Sequence, residues 1–249
     1  MTAIAHPAPF ARPSLPRLVR VELRKMTDTR AGVWLLSLIA IAGVTAVGVT
    51  LVAGTESDQT LDGLFGICGI AVALLLPVVG LLCVTGEWTQ RTALTTFTLV
   101  PARGRVVAAK LLAGCGLALT ALLVCLVAGV AGNLIAGGSW SLDLARLYGA
   151  ALYMLIVMVA GLSVGLLLMR SAPAIVTYFV LPAAIGALTQ TVHSLRGPAE
   201  WFDLGRATAP LGAGEMVAGD WPRLAVATAI WIGVPLALGL LRLRNRELS

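Results

Sequence analysis

The chain has 249 residues; 58% are hydrophobic even with glycine left out, only 12% are charged, and mean hydropathy is +0.92. A soluble domain carries roughly 25% charged residues, so the composition excludes a soluble globule, a disordered chain, a collagen and a disulfide-stapled secreted domain. The net charge of +6 would hint at nucleic acid in a soluble protein, but in a polytopic membrane protein the placement of the charges carries the information.

Residues 1–30 read as an arm that precedes the first span. It holds six basic residues and no apolar h-region, so no cleavable signal peptide is expected. From Ser14 to Arg30 the pattern is helical. At about 100° per residue, Leu15, Val19, Leu23 and Met26 share one sector, while Arg17, Arg20, Arg24 and Lys25 take the opposite side. This predicts a basic amphipathic helix on the inner leaflet of the bilayer. Val21 on the basic side and Glu22 at the apolar edge break the pattern.

A helix needs about 20 predominantly apolar residues to cross the hydrocarbon core. Six stretches qualify, at about 31–54, 63–86, 108–133, 147–169, 173–195 and 223–242, with a short tail at 243–249. The expected fold is therefore all-α, a polytopic membrane protein with six transmembrane helices. Six spans put both termini on one side. That side collects 14 basic and 4 acidic residues, the other 4 basic and 8 acidic, so the two faces carry +10 and −4. The positive-inside rule makes the first face cytoplasmic and both termini cytoplasmic. Trp34 and Trp88 then fall at the inner interface and Trp140, Trp201 and Trp221 at the outer one, as an aromatic belt requires, while Trp231 does not fit.

The connection after the second span runs from Gly86 to Lys110. A glutamate–tryptophan pair opens it, a Thr-rich stretch follows, and a Pro-x-Arg-Gly-Arg turn precedes the third span. The inside rule accounts for its arginines but not for the Glu87–Trp88 opening. The segment is expected to be ordered and to dock into a groove on a soluble partner.

The fourth span carries Gly161 and Gly165, a small-xxx-small pair that lets helices approach closely. Pro77, Pro182 and Pro235 lie inside spans and should bend them. The same stretch reads Gly-x-Ser-x-Gly around Ser163, and His193 ends the fifth span, which keeps an intramembrane serine protease as an alternative. A nucleophile elbow, however, needs a strand-to-helix turn. Cys68, Cys83, Cys115 and Cys125 all fall in spans without a Cys-x-x-Cys pair, so no metal site is expected. The long connection from Arg196 to Arg223 contains Ala199-Glu-Trp-Phe-Asp-Leu, which lies in the outer interface or dips into the membrane. The spans themselves hold almost no ionisable residues. That argues against ion-coupled transport and for an energy source outside the membrane and a hydrophobic or amphipathic cargo.

These features resemble the integral subunits of ABC-2-type ATP-binding-cassette exporters. The resemblance rests on six spans, an interfacial helix with Val21-Glu22-Leu23-Arg24-Lys25, and the series Glu87, Trp88, Thr92, Leu99, Pro101, Arg103 and Lys110; Arg91 stands where the family often has glycine. It implies a permease that is not itself an enzyme and borrows a separate ATPase carrying ATP and Mg. The ATPase-coupling residues would be Glu87, Trp88, Arg91, Thr92, Pro101, Arg103, Arg105 and Lys110, with Arg17, Arg20, Glu22, Arg24 and Lys25 on the interfacial helix. It also implies a second permease subunit, the same or different, a lipid bilayer around both, no nucleic acid, and a bacterial plasma membrane. No Walker A loop is present in the sequence, since neither Lys25 nor Lys110 follows a glycine. A non-transport assembly protein is the remaining alternative.

Overall fold

In the computed structural model, which describes residues 13–89, 103–192 and 196–245, every regular element among those residues is helical. Inside a bilayer a backbone has no water to bond, and a helix satisfies its own N–H and C=O groups locally. In chain order the elements are α1 (Leu15–Asp28), α2 (Arg30–Ala53), α3 (Leu61–Thr89), α4 (Arg103–Ala136), α5 (Leu144–Leu168), α6 (Ser171–Thr191), α7 (Arg196–Phe202) and α8 (Leu204–Ala213). A final run follows: α9 (Asp220–Thr228), a π-helical turn (Ala229–Gly233) and α10 (Val234–Asn245). Helices α2 to α6 and the final run are each long and apolar enough to cross a membrane. The chain is an all-α polytopic membrane protein.

Short polar side chains mark the joints. Thr29 ends α1, and its Oγ1 accepts from the Gly32 amide at 3.1 Å, so α1 and α2 meet in a one-residue elbow. The Gln59 amide donates to the carbonyls of Thr50, Leu51 and Gly54, closing the orphan carbonyls of α2. Asp143 caps α5 through the Ala145 amide. Helix α5 stops where Met169 adopts a left-handed conformation at φ 55°, buried, and α6 starts two residues later.

The innermost spans are α3 and α5; α2, α6 and the final run bury few of their side chains. Helices α3 and α5 run parallel in constant register. Arg146 pairs with Asp62 at 2.9 Å, Gly161 lies against the Pro77 carbonyl, and Gly165 lies against Leu81. Each partner is 84 positions upstream. A Cβ on either glycine would collide with backbone, so the small pair sets the closeness of this contact. Phe65, Leu64, Leu76, Met154 and Met158 fill the core around it.

Pro235 does not simply kink the final run. Having no N–H, it cannot bond the Trp231 carbonyl. The turn before it widens, and the Val234 amide bonds Ala229, five residues back.

The segment between α6 and α9 re-enters the bundle. Helix α8 climbs along α5 toward the end that holds the Arg146–Asp62 pair: Leu211 lies against Gly149, and Gly214 against Arg146. Ala207 and Leu211 share a buried cluster with Ile156, Leu224 and Ala227. At 1.5 Å per residue, the turn at Asp203 therefore sits roughly 15 Å below Arg146, near the middle of α5. Trp231 meets it there, its indole N–H donating to the Phe202 carbonyl at 2.6 Å. Of the two placements open from sequence, the segment takes the dipping one. Trp231 serves the turn, and Glu200, next to Trp201, pairs with Arg223 near the start of the final run at 3.1 Å.

Candidate functional site

Helix α1, the last turn of α3, the first turns of α4 and the end of α10 meet at the opposite end of the bundle. Helix α1 is docked there, but not on its expected face. Glu22 and Met26 are buried, Lys25 is half-buried, and Leu23 and Val21 are exposed. The docking face is turned by about 50° from the apolar sector toward Glu22 and Lys25. Lys25, expected on the solvated basic side with Arg17, Arg20 and Arg24, points inward; those three arginines remain exposed.

The reason lies in α3 and α4. Glu87 sits in the last turn of α3, and Lys110 in the second turn of α4. The Lys25 ammonium donates to Glu22 Oε1 at 2.7 Å and to Glu87 Oε1 at 2.7 Å. The Lys110 ammonium reaches Glu22 Oε2 at 2.5 Å, Glu87 Oε1 at 3.0 Å and the Cys83 carbonyl at 3.3 Å. The four side chains form a closed ring in which each acid lies between both lysines and each lysine between both acids. Its net charge is zero. Side-chain exposure is 4% for Glu22, 6% for Lys110 and 11% for Glu87, so water does little of the solvating. Burial alone would push the Lys25 amine down, but its bonds to Glu22 and Glu87 outweigh this and hold it above the ordinary lysine value.

A buried ion pair of good geometry roughly breaks even against hydrophobic packing, yet losing one partner costs about 3–5 kcal/mol because a bare buried charge remains. The ring is therefore a lock. Glu87 and Lys110 flank residues 90–102 on either side, and α1 supplies the other half. Moving α3 and α4 apart breaks Glu87–Lys110, and lifting α1 breaks Lys25–Glu87 and Glu22–Lys110, so either motion opens the ring.

Arginines tie the surrounding backbone. Arg103 and Arg105 lie on the first turn of α4 rather than in a turn before it. Arg103 donates to the Leu243 carbonyl of α10 at 2.6 Å, Arg105 to Pro13 at 2.9 Å, and Arg242 to Leu167 of α5 at 2.9 Å. Two of these close the carbonyl ends of helices, where a cation is favoured. Trp88 packs against the core. The structure thus brings together Glu22, Lys25, Glu87 and Lys110, with Arg103 and Arg105 alongside. Arg91, Thr92 and Pro101 lie outside the described residues. The signal for the ring is the chain's cation usage, 16 arginines to two lysines, with both lysines in the ring. A compact ammonium with three rotatable donors suits a point between two carboxylates better than a planar guanidinium does.

The protease constellation is not assembled among the described residues. The Ser163 hydroxyl is fully buried and donates to its own helix at the Val159 carbonyl, 2.7 Å away. His193 lies outside the described residues. No group of three or more His, Cys, Asp or Glu placed to hold a metal occurs among them. The sequence matches no protein-family model and no curated protein.

Proposed function

We propose that this chain is the permease subunit of an ABC exporter of the ABC-2 type, driven by a separate ATPase and moving a hydrophobic or amphipathic cargo across a bacterial plasma membrane. Both termini and the charge ring face the cytoplasm in this reading, as the +10 and −4 distribution requires. The observation that carries the reading is the ring itself. A half-transporter without a nucleotide loop must receive force from outside, and the ring joins the arm helix to both flanks of the one cytoplasmic connection long enough to be pushed. Force applied there would travel into α3 and α4 as a rigid-body tilt, the usual form of alternating access. A second permease subunit would complete the pathway.

The test is co-purification with candidate ATPases followed by transport in proteoliposomes. A nucleotide-binding subunit should come down with the chain. Glu87→Ala, and separately the Arg103/Arg105 double alanine, should leave insertion and ATP hydrolysis intact while export falls. Ser163→Ala should leave export unchanged. Unchanged export in both coupling variants, or loss of function confined to Ser163→Ala, refutes the assignment.

A further inference from the structure

Sequence alone leaves Asp203 and Arg206 in a connection that lies in the outer interface or dips into the membrane. The packing of α8 along α5 sets them toward the middle of that span. Arg206 lies eight residues along α8 from Gly214, which touches Arg146, and so sits about 12 Å from that end of α5. An ionisable group at such depth is costly and calls for a functional reason.

The local chemistry is asymmetric. Asp203 is well committed: its Oδ1 accepts from the Arg206 amide at 3.2 Å as the cap of α8, and its side chain is 12% exposed. Arg206 is not. Its side chain is 42% exposed, and its ion pair is a long one, from Nε to Asp203 Oδ2 at 3.5 Å. A guanidinium has five N–H donors. The other four, on the two terminal nitrogens, have no hydrogen-bond partner among the described residues. Just before Asp203 in the chain, Trp201 and Phe202 are exposed, at 41% and 44%. Trp231 holds the turn in place through the Phe202 carbonyl, and Gly186 of α6 lies near the Asp203 carboxylate. A planar donor fork on the same turn as exposed aromatic side chains, alongside a span, matches an anionic head attached to an apolar body.

We propose that Arg206 is the recognition point for the phosphate or carboxylate head of an amphipathic molecule, whose apolar part lies on Trp201 and Phe202. Asp203 neutralises the guanidinium until the head group replaces it. As a cargo contact this rests on the transporter reading above; as a binding site it does not, and its test uses no ATPase.

The test is equilibrium binding of a fluorescent phosphatidylglycerol, against the matching phosphatidylcholine, to the full-length protein in neutral detergent. Wild type should prefer the anionic lipid about tenfold at one site. Arg206→Gln should abolish the preference, Arg206→Lys should keep it within about threefold, and Asp203→Asn, which retains the helix cap and frees the guanidinium, should bind severalfold tighter. Replacing Arg17, Arg20 and Arg24 together with glutamine should leave this site intact, separating it from the arm helix. A preference that survives in folded Arg206→Gln overturns the proposal. So does weaker binding by Asp203→Asn, which decides the matter if Arg206→Gln does not fold. Displacement of the lipid by an equal concentration of inorganic phosphate marks a free-anion site and overturns it as well.

Discussion

Replacing Lys110 with methionine removes one charge from the ring while keeping nearly the same length and bulk. Glu22, at 4% exposure, and Glu87, at 11%, would then share the single ammonium of Lys25. The site would hold a net charge of −1 in a place water scarcely reaches. Breaking a buried pair in this way costs about 3–5 kcal/mol. For a protein of 150–250 residues, 1 kcal/mol moves the melting temperature by about 2–4 °C, so a drop of roughly 6–20 °C is expected. Adding Glu22→Gln restores neutrality with one acid and one lysine left, and should recover most of the loss. The two effects should therefore be strongly non-additive, with a coupling energy of about 3 kcal/mol or more. Thermal unfolding of the two single variants, the double variant and wild type in one detergent measures the cycle. If Lys110→Met alone costs less than about 0.5 kcal/mol, or if the two effects simply add, the four groups are solvated independently and the ring is not a lock.

The remaining expectations use the same assay, with hydrogen exchange added for the last. Lys25 is held above its ordinary value by burial-opposed bonds to Glu22 and Glu87, so its contribution is complete below about pH 10.5 and is lost as pH rises beyond it; Lys25→Gln should lack that alkaline step. Gly161→Ala forces a Cβ onto the Pro77 carbonyl and should cost about 1–3 kcal/mol. Gly116→Ala, with nothing within 4 Å, should instead be neutral or gain up to about 1 kcal/mol. Trp231→Phe removes the bond to the Phe202 carbonyl at a cost of about 0.5–1.5 kcal/mol, and hydrogen exchange should rise specifically across α7 and α8; uniform exchange would refute its role in pinning the turn.

Six spans, the arm helix and the grouping of basic residues at one end were all legible in the sequence, because hydropathy and charge act through the local surroundings of each residue. The close contact of the glycine pair was legible too, since Gly161 and Gly165 fall on one helix face at any register. The partner of that face was not: only packing selects Pro77 and Leu81 on α3. The arm helix shows the limit more sharply. Its periodicity pointed Leu23 inward and Lys25 outward, as for a helix facing lipid alone. Docking onto the bundle reversed both, because two charges on α3 and α4 offer Glu22 and Lys25 more than the bilayer offers Leu23. Glu22, which broke the sequence pattern, is the residue the tertiary structure most needs. Asp203 and Arg206 follow the same logic. Linear position left their depth open, and the packing of α8 along α5 set them toward the middle of that span. A residue's type is written in the chain, but the dielectric around it and the charge beside it are set by segments far away in sequence, and those decide whether an ion is a solvated surface group or part of a buried lock.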